Sequence, residues 1–223
     1  MGVKMDKIFN LDSPVMQILN KIADLVWLNL LTMICCIPII TAGAAFTAQH
    51  YVVLKMVRNQ EGYITRSFFK SFKTNFRQAT CIWLIFLAFI LMFVGDIYIF
   101  AYAEMNFPRI LIILVCAAAI ILSLVGVYIF PVLARFDNSI KNTIRNAFMI
   151  AIISLPRTIA MLLISALPII LLFISLRLVP VSALFGFSGT AYLCAMLYNG
   201  VFKKFEPEEG EAETGVEAEG GIN

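Results

Sequence analysis

Residues 62–78 read GYITRSFFKSFKTNFRQ. Ile64, Phe68, Phe72 and Phe76 recur every fourth residue, with Phe69 beside them. Arg66, Lys70, Lys73 and Arg77 recur at spacings of four, three and four on another face. This is a helical period carrying an aromatic stripe and a basic stripe. Such a helix prefers a boundary, with rings in the acyl region and cations at the headgroups. The stretch runs directly into an apolar segment that begins at Ala79. It predicts an interfacial helix on the cytoplasmic side that feeds a membrane span.

Composition widens that reading to the whole chain. Of 223 residues, 61% are hydrophobic and 14% charged, against roughly 25% charged in an average soluble domain. Mean hydropathy is +0.90. One water-soluble core cannot hide that much apolar surface, so an all-α, polytopic helical membrane protein is expected. The net charge of +3 conceals a split, because seven of the 14 acids lie after residue 205. In a membrane protein the basic remainder reports topology rather than nucleic-acid binding. Cys35, Cys36, Cys81, Cys116 and Cys194 lie in or beside apolar segments with no C-x-x-C spacing. Free thiols follow, with neither a disulfide framework nor a metal site.

A bilayer core needs about 20 apolar residues per helix, and five spans are expected, at residues 23–40, 79–100, 110–130, 158–178 and 181–202. Cytoplasmic interfacial helices complete the architecture. Ser13 and Pro14 form a helix start, and Pro38 with residues 41–45 ends the first span. A further helix is expected over 45–59, a turn at 59–62, and a polar helix over 135–154 that Pro156 interrupts. Residues 1–205 read as a single membrane domain. Residues 206–223 hold seven Glu, five Gly or Pro and no aromatics, the composition of an acidic disordered tail. Lys21, the apolar run after it and Ala42-Gly43-Ala44 resemble a signal peptide with a cleavage site. The run is long and its polar lead-in extends over 20 residues, so the segment is expected to be retained.

Lys and Arg set the orientation. Residues 44–78, 134–157 and 203–204 carry 12 of them and the other side five, namely Lys4, Lys7, Lys21, Arg109 and Arg177. With five spans, this puts the two basic loops and the C-terminus in the cytoplasm and the N-terminus outside, in the cell membrane. A weak repeat also appears at an offset of 80 residues: Lys55 aligns with Arg135, Ile64 with Ile144, Phe68 with Phe148, and Arg77 with Arg157. Parallel copies at about 23–100 and 103–180 would then precede a fifth span at 181–202.

Several residues stand out as candidate sites. The face of Arg66, Lys70, Lys73 and Arg77 contacts anionic membrane lipid, at about 1 kcal/mol per cation, or docks a cytoplasmic protein. Serving positive-inside topology is its plainest role. Asp24 and Asn29 are polar residues in the first span, where polarity is costly. Asp24 sits near the span's end on the face of Gln17, Asn20 and Lys21. Asn29 lies deeper, about 140° around the helix, and is expected to bond another helix. Ser182, Gly186, Thr190 and Cys194 recur every fourth residue with Gly189 adjacent, a pattern for close helix packing. Pro168 should kink the fourth span. His50 is the only histidine and has no acidic neighbour in sequence to make an acid–base pair. No phosphate-binding glycine loop, zinc spacing or G-x-S-x-G elbow occurs, so neither a cofactor nor an enzymatic activity is expected.

These stretches together resemble the YesL-type family of bacterial membrane proteins, over roughly residues 5–205. The likeness is carried by residues 9–14, FNLDSP, by Ala23-Asp24-Leu25 through Pro38, and by Arg58-Asn59 and Glu61-Gly62-Tyr63. Residues 68–73, FFKSFK, then Asn75-Phe76 and residues 135–138, RFDN, continue it. The resemblance implies a cytoplasmic-membrane protein whose relatives sit beside carbohydrate uptake and sugar-responsive signalling systems, and it brings no catalytic residue. An accessory or regulatory role follows, acting through the basic helices on a sugar permease or membrane sensor. The alternative is a transporter or permease subunit for a small solute such as an oligosaccharide, for which Asn29 and the Pro-bent fourth span speak.

Overall fold

The computed structural model of the chain describes residues 14–60, 62–102, 108–175, 177 and 179–206. Among these, the regular structure is helical. Helix α1 is Pro14–Cys36, a short 3-10 turn Ile39–Thr41 follows, and α2 is Ala42–Val57. Then come α3 Ile64–Tyr102, α4 Arg109–Arg135, α5 Ile140–Ile153, α6 Leu155–Ile174 and α7 Val179–Phe202. Among the described residues three stretches are long and apolar enough to cross a bilayer alone: Val15–Cys36, Ile64–Phe100 and Arg109–Arg135. Helices α5 and α6 meet at 104° and give a fourth if counted as one broken span. The chain thus fits a multi-pass helical membrane protein, with three or four candidate spans where five were expected.

The first departure is α3. The expected interfacial helix and the span after it are one uninterrupted helix of 39 residues. At 1.5 Å per residue it is about 58 Å long, roughly twice a bilayer's hydrocarbon core. No Gly or Pro stands between Arg77 and Ala79 to turn the chain. Its aromatic stripe is divided between the protein core and the surface. Phe68 is fully buried and Phe72 packs against the core, leaving Phe69 and Phe76 exposed.

The second departure is α2, expected as a loop helix over 45–59. It lies at the centre of the bundle, with Ala44, Ala45, Ala48, Val52, Val53 and Met56 in the core. Its small residues make it too weakly apolar to read as a span, but they let α3 press closely against it, and this pair shares the largest interface. A Cβ added at Gly43 would collide with Trp83 Cβ and lie 2.5 Å from the Ala79 carbonyl oxygen. Helix α2 runs antiparallel to both neighbours. Thr41 Oγ1 donates to Cys35 O at 2.6 Å across the joint with α1, and Trp83 Nε1 donates to Ile39 O at 2.7 Å. Ala42, Gly43 and Ala44 are buried in the first turn of this helix.

Two bonds bring the ends of three helices together. Lys21 Nζ donates to Asn59 Oδ1 at 3.2 Å, which places the early turns of α1 beside the end of α2. Arg58 Nε donates to Asn199 Oδ1 at 2.8 Å, so the end of α7 is there too. The start of α1 and the end of α7 therefore share one end of the bundle.

Local chemistry explains the connections. Asn59 has φ 53, the left-handed conformation that Asn tolerates, and Gln60 N donates back to Lys55 O at 2.9 Å. This six-to-one bond closes α2 in a Schellman motif. Ser139 caps α5 by accepting from Asn142 N. The polar helix is shorter than the expected 135–154, because α4 continues past Pro131 to Arg135 and Phe136 is extended. The two halves suggested by the 80-residue offset differ here: residues 64–78 continue straight into a span, whereas α5 bends sharply into α6.

Candidate functional site

A cationic groove of about 1050 Å³ lies between α1 and the first turns of α3. Trp27 of α1 donates from Nε1 to Thr65 Oγ1 at 2.9 Å. The bond fixes the indole against α3 while half its surface stays exposed. Tyr63, in the turn before α3, is 84% exposed, and Phe69 is exposed one turn on. Arg66, Lys70 and Lys73 line the same groove, and Asp24 closes it from α1. Three cations against one carboxylate leave an electropositive recess with aromatic faces. That suits a ligand or partner with negative charge and an apolar or planar part. All three cations are exposed, so each contact is modest and weakens with salt.

The structure gathers Arg66, Lys70, Lys73 and Asp24 in this groove and leaves Arg77 outside it, exposed a turn further along α3. Asn29 is elsewhere and fully buried. Its Nδ2 donates to Ala183 O at 2.6 Å, and its Oδ1 accepts from Phe187 N at 3.0 Å and Ser188 N at 3.1 Å. Ala183 O and Phe187 N are the two groups that pair with each other in a regular helical turn. One side-chain amide on α1 thus grips a backbone turn of α7. Ser182 and Gly186 lie against α6, where a Cβ on Gly186 would sit 3.5 Å from Pro168 Cβ. Thr190 Oγ1 donates to Gly186 O at 2.6 Å within α7. Gly189 meets only Phe185 of its own helix. Among the described glycines the tightest surroundings are at Gly43 instead. His50 Nδ1 lies 3.3 Å from Tyr198 Oη, and the two rings meet edge to face.

A clamp unforeseen from sequence closes the same end of the bundle. Arg58 donates to both carboxylate oxygens of Glu206, at 2.7 and 3.0 Å. Arg135 Nε adds a third bond at 2.7 Å. Burial opposes the charged form of Glu206, but the hydrogen bonds and charges of the two arginines outweigh it and lower its pKa to about 2. The clamp ties the ends of α2, α4 and α7 together. Glu206 therefore belongs to the folded domain rather than to the acidic tail, and residues 207–223 lie outside the described residues. Among the described residues no cluster of three metal-ligating side chains occurs.

Residues 25–97 match a family model described as Protein of unknown function, DUF624. The match covers α1 from Leu25, all of α2, and α3 as far as Ile97. This is the unit that holds Gly43 against α3 and supplies nearly all of the groove. No curated protein and no solved structure matches the chain.

Proposed function

We propose that this protein is an accessory or regulatory multi-pass protein of the cytoplasmic membrane that acts by binding through the groove of α1 and α3. The observation that carries this reading is the convergence of Arg66, Lys70 and Lys73 with the exposed faces of Trp27, Tyr63 and Phe69 in one recess. The groove sits at the bundle end that also holds Lys21, Arg58 and Arg135, and the positive-inside rule assigns that end to the cytoplasm. In this reading the first turns of α1 and the last of α7 both face the cytoplasm. The carbohydrate setting comes from the family resemblance alone, and it makes the partner a sugar permease or membrane sensor.

A photo-crosslinking residue at Tyr63, in living cells, tests the reading. The expected product is a covalent adduct with a permease or sensor chain, lost when Arg66, Lys70 and Lys73 are changed to Glu. Adducts with lipid alone, or a protein adduct that survives the charge reversal, would overturn it. Reporter fusions before Pro14 and after Glu206 should both read cytoplasmic.

A further inference from the structure

A second recess lies apart from the groove, between α2, α4, α6 and α7, and encloses about 720 Å³. Gln49 and His50 of α2 and Cys194 of α7 form its inner wall. Ser123 of α4 and Ser165 and Ile169 of α6 form its mouth and are exposed on the flank of the bundle. Val179 and Phe187 of α7 line the recess and are exposed as well, so it opens on the flank of the bundle along α4, α6 and α7.

The polar groups of this recess have a definite sense. Ser123 Oγ donates to Ala119 O at 2.8 Å, Thr190 Oγ1 to Gly186 O at 2.6 Å, and Ser182 Oγ to Pro168 O at 3.4 Å. A hydroxyl has one hydrogen and two lone pairs, so with the hydrogens committed to helix carbonyls these groups offer an occupant acceptors. Ser165 Oγ has the opposite capacity: it lies 3.8 Å from Cys194 Sγ, a weak contact in which either atom can donate, so it keeps a hydrogen for an occupant. Behind the wall Gln49 is 1% exposed, and its Nε2 donor has no hydrogen-bond partner. Buried amide donors are almost always paired. Among the described residues no Lys, Arg, Asp or Glu lines the recess, so a charged head group would be buried there without a counter-charge. The rest of the wall, including Phe46, Val127 and Leu162, is apolar.

We infer that this recess binds one uncharged, single-chain amphiphile with a hydroxyl-bearing head, admitted from the bilayer through the mouth between α4 and α6. A hydroxyl both donates to these acceptors and accepts from Ser165 Oγ, which neither a hydrocarbon nor a carboxylate does. The volume lies within the usual range for small-ligand sites and suits a single chain. The inference is independent of the groove.

Trp83 supplies the readout, because its ring lies 5.9 Å from that of Phe46, which lines the recess. The chain has two tryptophans, so a Trp27→Phe background leaves Trp83 as sole reporter. The full chain in phosphatidylcholine nanodiscs is titrated with 1-(9,10-dibromostearoyl)glycerol, and in parallel with 9,10-dibromostearic acid at pH 9. The expected result is saturable quenching by the monoacylglycerol at one per chain, with the acid needing at least a tenfold higher mole fraction. Thr190→Val, nearly isosteric, should weaken the monoacylglycerol at least threefold, and Val127→Phe should abolish saturation. Non-saturable quenching, equal potency of the acid, or saturation unchanged in Thr190→Val would overturn the inference. Lys70→Glu, in the groove, should leave the titration unchanged.

Discussion

Gly43→Ala tests the packing on which the bundle depends. In an unencumbered helix this change adds about 0.8–1.0 kcal/mol of stability, because glycine is a poor helix former. At Gly43 the added methyl would lie 2.5 Å from Ala79 O, where ordinary contact begins at 3.4 Å. The two helices would have to part by about 1 Å. A carbonyl oxygen of the α3 backbone has no rotamer by which to escape. Trp83, the other obstacle, is held by its bond to Ile39 O. Overpacking of this kind costs about 1–3 kcal/mol. Because α3 is one continuous helix, the displacement would be shared along the interface rather than absorbed at one turn. The clash outweighs the propensity gain, and a net loss of up to about 2 kcal/mol is expected. At roughly 2–4 °C per kcal/mol for a chain of this size, thermal unfolding in nanodiscs should begin several degrees lower. Gly95→Ala is the control, since a Cβ there meets nothing within 4 Å, and it should unfold at or above the wild-type temperature. A Gly43→Ala protein as stable as Gly95→Ala would refute the close approach of α2 and α3.

Asn29→Leu removes the side-chain bonds to α7, yet Phe187 N can then pair with Ala183 O. The loss should stay near 1 kcal/mol, in line with polar contacts between membrane helices, whereas Asn29→Asp, which cannot donate to Ala183 O when ionised, should unfold at a lower temperature than Asn29→Leu. Asn59→Gly should preserve the turn after α2, and Asn59→Val should destabilise it by roughly 1–2 kcal/mol because of the left-handed backbone, as unfolding temperatures will show. Glu206 has a pKa lowered from its ordinary 4.5 to about 2, so its clamp contributes full stability above pH 4.5 and loses it as pH falls from 4.5 toward 2. Thermal unfolding of wild type and Glu206→Gln should therefore differ at pH 7 and converge as pH is lowered through that window.

The membrane class and most helix positions were legible because composition and helical periodicity report directly on burial in lipid. The central position of α2 was not. Its run AGAAFTAQHYVV is only moderately apolar, and a helix surrounded by other helices has no need of the lipophilicity that marks a span. Phe68 misled for a related reason, because periodicity reports that a face is apolar and not whether lipid or protein covers it. The basic stripe was legible as a face, but the groove needed α1. Asp24 and Trp27, three residues apart on one helical face, were the available signal, and nothing in their spacing pointed to Thr65. The Arg58–Glu206–Arg135 clamp joins residues up to 148 positions apart and has no local pattern.

The groove and the recess share structural elements, which bears on how such a protein could regulate anything. Helix α3 carries Arg66, Lys70 and Lys73 near its start and Trp83 further along. Trp83 in turn meets Phe46 and Phe130, and Phe46 meets Phe187 in the wall of the recess. A continuous helix can carry a displacement between the two sites, but coupling also requires an element with two arrangements. The described bundle offers candidates at its discontinuities: the joint at Pro38–Thr41, the turn at Asn59, and the 104° bend at Ser154. Of these, the Asn59 turn touches the groove side directly, through Lys21, and it precedes α3. If occupancy of the recess and of the groove are coupled, the coupling is reciprocal, and an altered turn at Asn59 should change it while leaving each separate affinity nearly as it was.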